Sequence, residues 1–337
     1  MERRTKNNNI YTTPKVYILH ENNEWLEPLK EELALLGVPY ESWFIHEGRI
    51  DLSQAPPEGV FFNRMSASSH TRNHRFSIEL TETILTWLEA HGRRVINGTA
   101  AIRLEESKAK QAIALQQHGI KTPQTYVVSG KQATLDAARK LGKTPFIVKP
   151  NRGGKGLGVQ LFNSIESLET ALDDYLNVLA SVDGIYLVQE YIKPKDGHIT
   201  RVEFIEGKFY YAVQVDTSQG FELCPADACN NEAIGEPGKV REKFQIIEDY
   251  QNPYLARFEQ FLKTNQVEVA SIEHLQAEDG EYYVYDVNTN TNYNWRAEQN
   301  FTQAALKGTR RIAEFLLDEL HRLTVPSVEL SSTTLNE

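Results

Sequence analysis

Short apolar runs, rich in β-branched and aromatic residues, alternate with helical patterns over the N-terminal part of the chain. The runs VYIL (Val16 to Leu19) and VFF (Val60 to Phe62) are separated by a helical pattern from Trp25 to Leu36. A second helical pattern, Ser77 to Ala90, leads to the run VIN (Val95 to Asn97). Strands that alternate with helices are joined by crossovers, so this order predicts a parallel α/β sheet that ends near residue 98.

The rest of the chain continues the alternation and adds antiparallel signals. VEFI (Val202 to Ile205) and FYYAVQV (Phe209 to Val215) flank Glu206, Gly207 and Lys208, which predicts a β-hairpin. The other expected elements are helices at Ser107 to His118, Thr134 to Leu141, near Pro253 to Lys263 and Thr302 to Leu323, and strands at Thr125 to Val128, PFIVKP, YLVQEYI, VASIEHL and YYVYDVN. The tail after Leu323 is rich in Ser and Thr and is expected to be mobile.

Composition excludes several classes of protein. The formal net charge is -10, which disfavours nucleic acid as a partner, because polyanion binding needs a basic face. The two cysteines, Cys224 and Cys229, indicate a reducing compartment, not a disulfide framework. The segment MERRTKNNNIYTTPK lacks the apolar core of a signal peptide, and no apolar run is long enough to span a bilayer. We therefore expect a cytoplasmic protein with no membrane partner.

The stretch FIVKPNRGGKGLGV (Phe146 to Val159) is the strongest chemical signal. Its strand leads Lys149 into a loop that contains Gly153, Gly154, Gly156 and Gly158. Glycines let backbone N-H groups approach phosphate oxygens closely, although an ordinary glycine-rich hairpin has the same composition. The loop is not a P-loop, because Lys155 is followed by Gly156 where that motif requires Ser or Thr at the start of a helix.

A second signal lies at the end of the strand-like run YYVYDVNTNTNYN. Asp286 and Asn288 are two residues apart, so both face the same side of a strand, and Glu273 lies on the neighbouring candidate strand. Carboxylate and amide oxygens are ligands that magnesium accepts together with nucleotide phosphates. A polar strand end followed by a solvated loop is the alternative that this stretch alone leaves open.

Together these segments resemble the ATP-grasp superfamily, most closely its RimK-like branch of carboxylate-amine ligases, which includes a ribosomal-protein glutamate ligase. The resemblance covers Asn97 to Leu323. It implies an α/β (α+β) chain with an N-terminal pre-ATP-grasp domain at 14–98, a first ATP-grasp half at 99–190 with a flexible lid at about 122–188, a C-terminal metal-binding subdomain at 191–324 and a mobile tail at 325–337.

The resemblance also implies roles for individual residues. ESKAKQAIALQQHGIKTPQTYVV places Lys108 at the first nucleotide lysine, and Lys149 matches the second. LVQEYIKPKDG resembles the adenine hinge, where Gln189 and Glu190 bracket the purine edge while Tyr191 and Ile192 add backbone contacts and an apolar wall; Asp196 is assigned to the ribose. Arg201 matches the arginine facing the transferred phosphoryl group. Two magnesium ions, with manganese as an alternative, are assigned to Glu273, Asp286 and Asn288.

The departures from the family pattern lie where the family binds its acceptors. Ile199 replaces an Asp before the phosphate arginine, and Pro194 replaces an acidic residue after the hinge. Glu222, Leu223, Cys224 and Pro225 stand where glutamate ligases have Arg-Ser-Asn, and Thr289, Asn290 and Thr291 replace Ser-Pro-Gly. Glutamate is therefore not inferred as a substrate.

Other residues are assigned to substrates independently of the family resemblance. The cluster of Arg64, His70, Arg72, His74 and Arg75 offers cations for an acid substrate, with a solvated loop as the alternative. Arg64, Arg296 and Glu222 are the individual candidates for substrate contacts. Glu222 and Asp227 predict a cationic or neutral amine, because a carboxylate repels an acidic one.

The expected activity is an ATP- and magnesium-dependent ligation of a small-molecule or peptide carboxylate to an amine through an acyl phosphate, with release of ADP and phosphate. A small-molecule kinase on the same fold and a non-catalytic ATP-binding regulator remain the alternatives. Whether the protein forms a homo-oligomer stays open.

Overall fold

The computed structural model describes residues 13–178, 181–217, 243–300 and 307–324, and its first unit is a four-stranded parallel sheet in the order β2-β1-β3-β4. Every neighbouring pair in this sheet is parallel, as the alternating pattern predicted. The sequence prediction missed β2, because this edge strand is only partly buried and its sequence, YESWF, is not a continuous apolar run. The elements are β1 (Lys15–His20), α1 (Asn23–Leu35), β2 (Tyr40–Phe44), β3 (Gly59–Asn63), a 3-10 turn (Ser69–Arg72), α2 (Ser77–Ala90) and β4 (Arg94–Ile96).

Both faces of the parallel sheet are covered, which explains why its central strands are continuously apolar. Val16 and Ile18 face α1, whereas Tyr17 and Leu19 pack on the opposite side, against α2. This alternation follows from the two-residue period of a strand.

The second unit is a four-stranded antiparallel sheet in the order β5-β8-β6-β7. Leu135 and Leu168, from the two helices that follow its strands, pack with Val148 and Val188 in one core. The glycine-rich stretch is the connection between β6 and β7. The elements of this unit are β5 (Thr125–Val128), α5 (Lys131–Leu141), β6 (Phe146–Pro150), β7 (Gln160–Phe162), α6 (Ile165–Val178) and β8 (Tyr186–Glu190). The two helices before it, α3 (Thr99–Glu105) and α4 (Lys108–Gln117), pack instead against the third sheet.

The third unit is a five-stranded antiparallel sheet in the order β11-β10-β9-β12-β13. The predicted hairpin is confirmed: β9 and β10 pair around Glu206 and Gly207, whose φ angles of 58° and 68° suit the twist of a two-residue hairpin turn. The elements are β9 (His198–Ile205), β10 (Lys208–Asp216), β11 (Phe244–Ile247), α7 (Leu255–Thr264), β12 (Val269–Gln276), β13 (Tyr282–Asn288), α8 (Trp295–Gln299) and α9 (Gly308–Thr324).

The last helix, α9, returns to the first sheet. Ile312, Phe315 and Leu316 share a core with Val16 and Leu29, so the first and last parts of the chain pack together. The helix was expected from Thr302, but residues 301–306 lie outside the described residues, as does the tail at 325–337. Among the described helices, none combines the length and apolarity needed to cross a bilayer.

Candidate active site

A row of charged side chains crosses the third sheet. Arg201 on β9 pairs with Glu273 on β12, and Glu273 pairs with Asp286 on β13. Directly paired residues of antiparallel strands lie on the same face, so the register alone aligns these three side chains. Asn288 follows two residues after Asp286, and all four side chains line one cavity.

That cavity is walled by all three units. The residues from the sequence prediction that line it are Lys108, Lys149, Gly153, Gly154, Gly156, Gln189, Glu190, Tyr191, Ile192, Arg201, Glu273, Asp286 and Asn288. These positions are scattered over most of the described chain, and the fold brings them to one cleft.

Two lysines bring positive charge into the cavity. Lys108 begins α4, where the Ser107 side chain caps the helix by accepting from Lys110 N, and its ammonium contacts the Asp286 carboxylate. Lys149 lies on β6 and is 6% exposed. Burial, reinforced by the positive charge of Lys108, lowers the pKa of Lys149 to about 7. An anion between these two lysines would relieve their repulsion.

The three predicted metal ligands have the donor set that a hard cation prefers. Glu273 is buried, and burial raises the pKa of its carboxyl. Its Oε1 accepts from the Asn288 Nδ2, 3.2 Å away, so the amide oxygen of Asn288 faces away from Glu273. Among the described residues no third His, Cys, Asp or Glu joins this group. Two carboxylates and one amide oxygen fit magnesium that takes its other ligands from phosphate and water.

Arg201, at one end of the row, is held by three hydrogen bonds from its guanidinium. Its Nε donates to Glu203 Oε1 at 2.7 Å, its Nη1 to Glu273 Oε1 at 3.3 Å and its Nη2 to Thr291 Oγ1 at 2.5 Å. The Thr291 hydroxyl in turn donates to Glu203 Oε2 at 2.8 Å. These bonds fix the orientation of the Arg201 guanidinium.

The glycine-rich loop needs glycine at two positions for backbone reasons. Gly156 and Gly158 have φ angles of 74° and 75°, which residues with a side chain rarely adopt. A Cβ at Gly158 would lie 2.9 Å from the Pro150 Cγ. Gly158 does not line the cavity; its φ angle and the nearby Pro150 explain the glycine at this position, and the phosphate contact stays a prediction.

Part of the cavity wall, next to the predicted hinge, is apolar. Ile147 and Ile192 line it together with Ile199 and Leu275, so the replacement of the family's Asp by Ile199 places an apolar side chain in the cleft. The Glu190 carboxylate contacts Lys143 and accepts from Gln124 N at 2.8 Å. Glu190 therefore has structural partners for its carboxylate at the predicted purine edge.

Several predicted residues are not brought into the cavity. Asp196 is exposed in the turn before β9, where Gly197 N donates to Pro194 O, and it does not line the cavity, so its assignment to the ribose stays a prediction. Arg296 is exposed on α8, where its guanidinium lies 5.4 Å from the ring of its neighbour Trp295. Neither of these two residues of α8 lines the cavity. The acceptor-loop residues lie outside the described residues: Glu222, Leu223, Cys224, Pro225, Asp227 and Cys229.

The N-terminal cationic cluster is largely occupied with other partners. Arg72 and His74 both contact the buried carboxylate of Glu21, at 2.5 Å and 2.8 Å. Arg75 donates to Glu79 at 3.1 Å and to the Val182 carbonyl at 2.8 Å. These contacts hold loops together and do not place the charges on the cavity wall.

Sequence reasoning missed other cavity residues. Trp25 lines the cavity, and two cationic side chains approach its ring: the Arg72 Cζ and the Lys155 Nζ each lie 4.8 Å from the ring centroid. Glu105 accepts from Ala67 N at 3.1 Å and from Thr289 N at 2.7 Å, and burial raises its pKa. The signal that could have identified Glu105 is a carboxylate inside the apolar pattern AIRLEES. No comparable sequence signal marks Trp25.

Comparisons with known proteins agree with this arrangement. Residues 105–309 match the family described as the RimK-like ATP-grasp domain. The chain is 30% identical over 132 residues to a probable alpha-L-glutamate ligase of Parasynechococcus marenigrum (strain WH8102), a match that covers 39% of this chain and 28% of that protein. It is 28% identical over 136 residues to the ribosomal protein bS6--L-glutamate ligase of Shigella boydii serotype 4 (strain Sb227), covering 40% of this chain and 44% of that one.

The fold is shared with a solved structure over nearly the whole chain. The RimK domain protein ATP-grasp from Sphaerobacter thermophilus DSM 20745 superposes with a TM-score of 0.63, at 18% identity, over 90% of this chain and 99% of that chain. By contrast, the present chain spans less than half the length of the two curated relatives.

Proposed function

The chain belongs to the RimK-like ATP-grasp family, and from that premise we propose that it is an ATP- and Mg²⁺-dependent ligase that joins a carboxylate to an amine. The observation that carries the proposal is the convergence of two lysines, Arg201 and three oxygen ligands on one cavity beside a glycine-rich loop. Each group has a distinct task in phosphoryl transfer to a carboxylate.

The nucleotide would lie with its base at the hinge. Ile147, Ile192 and Leu275 supply apolar surfaces for a planar ring, and the strand end at Glu190 and Tyr191 supplies backbone groups for its edge. Residues at about 122–188 are proposed as the lid. The loop with Gly153, Gly154 and Gly156 would bring backbone N-H groups to the phosphates.

Lys108 and Lys149 would neutralise the inner phosphates. Glu273, Asp286 and Asn288 would hold magnesium, which supplies charge neutralisation for the phosphate oxygens when bound. Lys108 contacts Asp286 in the structure. On nucleotide binding the ammonium would turn from Asp286 to a phosphate, which leaves the carboxylate oxygens for the cation.

Arg201 would stabilise the moving phosphoryl group. An oxygen of the acid substrate attacks the γ-phosphorus, the bond to the β-phosphate oxygen breaks, and ADP leaves. An amine nitrogen then attacks the acyl carbon, the bond from that carbon to the phosphate oxygen breaks, phosphate leaves, and the nitrogen loses a proton to the departing phosphate or to water to give the amide. A closed lid keeps water from the acyl phosphate, and the bonds from Arg201 to Glu203 and Thr291 keep its guanidinium in place throughout.

The test is to trap the activated acid. Purified protein with ATP, Mg²⁺ and a panel of carboxylic acids is incubated with hydroxylamine, and hydroxamate, ADP and AMP are quantified. We expect hydroxamate and ADP in equal amounts with at least one acid. A stable phosphomonoester without hydroxamate would identify a kinase, AMP release would reject both mechanisms, and nucleotide binding without turnover would identify a regulator.

A further inference from the structure

Three asparagines line the cavity at alternate positions, starting from the last residue of β13. Asn288, Asn290 and Asn292 are cavity residues, whereas Thr289 and Thr291 are 3% and 2% exposed. Thr289 is bonded to Glu105, and Thr291 to Arg201 and Glu203. The threonines therefore anchor this segment from behind, and the asparagines form a row of amides along the cavity wall.

Arg64 sets the orientation of the two outer amides. Its Nε donates to Asn290 Oδ1 at 3.0 Å, and its Nη2 donates to Asn292 Oδ1 at 2.7 Å and to the Thr291 carbonyl at 3.1 Å. A guanidinium has only donors, so the amide atom that faces it must be oxygen in both asparagines. Both NH₂ groups consequently turn away from Arg64, and neither donates to another described residue.

The charge of Arg64 lacks a carboxylate partner within the described part of the chain. The side chain is 6% exposed, and its partners on this segment are two amides and a backbone carbonyl, all neutral. Burial of a cation without an anion is costly, and its field is transmitted through polarised amides. An anion on the cavity side of these amides would complete the missing pair.

We propose that the NH₂ groups of Asn290 and Asn292, oriented and polarised by Arg64, form the subsite that receives the carboxylate of the acid substrate. The inference rests on the proposed function and deepens it. Arg64 acts as a positioning residue, and the two asparagines make the contact. The subsite lies two and four residues beyond the metal ligand Asn288, and Thr291 links it to Arg201.

The test uses acetate, the smallest carboxylate that can occupy the subsite. Protein saturated with Mg²⁺ and AMP-PNP is titrated with acetate and, separately, with acetamide by calorimetry. A ligand this small can bind at about millimolar concentration when its hydrogen bonds are well placed. We expect saturable binding of acetate and none of acetamide.

The decisive variants are Asn290→Asp and Asn292→Asp. Each keeps the side-chain shape and gives Arg64 a carboxylate, so thermal stability should be retained or increased, while the atom facing the cavity becomes a negative oxygen. Acetate affinity should fall by at least about tenfold in either variant, because a charge-assisted donor is replaced by a repelling acceptor. The matched control is Asn23→Asp, an exposed residue at the start of α1 that lies outside the proposed lid, does not line the cavity and adds the same charge.

Two results would overturn the inference: failure of the wild-type protein to bind acetate, or unchanged acetate affinity in both variants. The hydroxamate assay is independent of this titration. Hydroxamate formation together with unchanged acetate affinity in the variants would leave the ligase intact and remove the subsite. Acetate binding with the expected losses but no hydroxamate with any acid would keep the subsite and remove the ligase.

Discussion

Nucleotide binding should draw a proton from solution onto Lys149. Burial and the charge of Lys108 lower the pKa of this ammonium to about 7. Phosphate oxygens placed against it would favour the charged form and raise the pKa towards its ordinary value of about 10.4. At pH 8, a group with a pKa of about 7 is roughly one-tenth protonated, so binding should take up about 0.9 proton.

The uptake is measurable by calorimetry. Titrations of AMP-PNP with Mg²⁺ at pH 8, in buffers with different ionisation enthalpies, give the number of protons from the slope of observed enthalpy against buffer enthalpy. At pH 6 the same group is already charged, and the uptake should fall to about 0.1 proton. Lys149→Met should abolish the pH 8 uptake and weaken nucleotide binding by more than tenfold, through loss of a charge-assisted contact.

The same pKa shift predicts how stability varies with pH. The folded protein holds this proton less tightly than the unfolded chain, so between pH 7 and about 10.4 the unfolded state binds more protons at Lys149. The free energy of unfolding of the nucleotide-free protein should therefore gain up to about 1.4 kcal/mol per pH unit from this group across that window. Lys149→Met should remove that gain. Proton uptake that is equal at pH 6 and pH 8, or that persists in the variant, would refute the reasoning.

Three further outcomes follow from the site and its loops. Asp286→Asn keeps the shape of the side chain but removes its charge, so ADP formation should nearly cease while nucleotide binding persists. Turnover assays and calorimetry at ordinary Mg²⁺ concentrations measure the two effects. Turnover like that of the wild type would mean that the strand end is only a turn. Gly158→Ala should lower the free energy of unfolding by about 1–3 kcal/mol, because Gly158 has a positive φ and an added Cβ would contact Pro150. Gly153→Ala is the matched control, because nothing lies within 4 Å of a Cβ added there. Equal melting temperatures for the two variants would contradict this explanation. Glu105→Gln should cost about 1–3 kcal/mol in denaturant unfolding, since one amide oxygen cannot accept from two backbone N-H groups on opposite sides; an unchanged midpoint would refute this.

Local patterns were sufficient to predict most elements of the fold. The strand that contains Lys149, the hairpin at Glu206 and Gly207 and the strand that ends at Asn288 were each visible as a run with the right period or turn residues. The edge strand Tyr40–Phe44 was not, because its exposed faces weaken the pattern. Patterns of hydrophobicity report burial, and an edge strand has less of it.

The candidate site was predictable in its residue types but not in its supporting contacts. Lys108 and Lys149 could be assigned because the resemblance preserved their order and local sequence. The actual partner of Arg64 could not, because Asn290 and Asn292 lie 226 and 228 residues further along the chain. Sequence alone suggested that Arg64 meets the substrate directly, whereas its hydrogen bonds support a role through the two amides.

The first parallel sheet helps to position the candidate site. Asn97, at the end of its last strand, is fully buried; its Nδ2 donates to the carbonyls of Val269 and Thr289, and its Oδ1 accepts from Glu268 N and Val269 N. These bonds join the sheet edge to the strand that carries Glu273 and to the first residue after Asn288. Arg64 holds the next residues of the same segment. A displacement of the first sheet would therefore move the row of asparagines relative to Arg201, so the geometry of the proposed phosphoryl transfer depends on packing between parts of the chain that no local pattern relates.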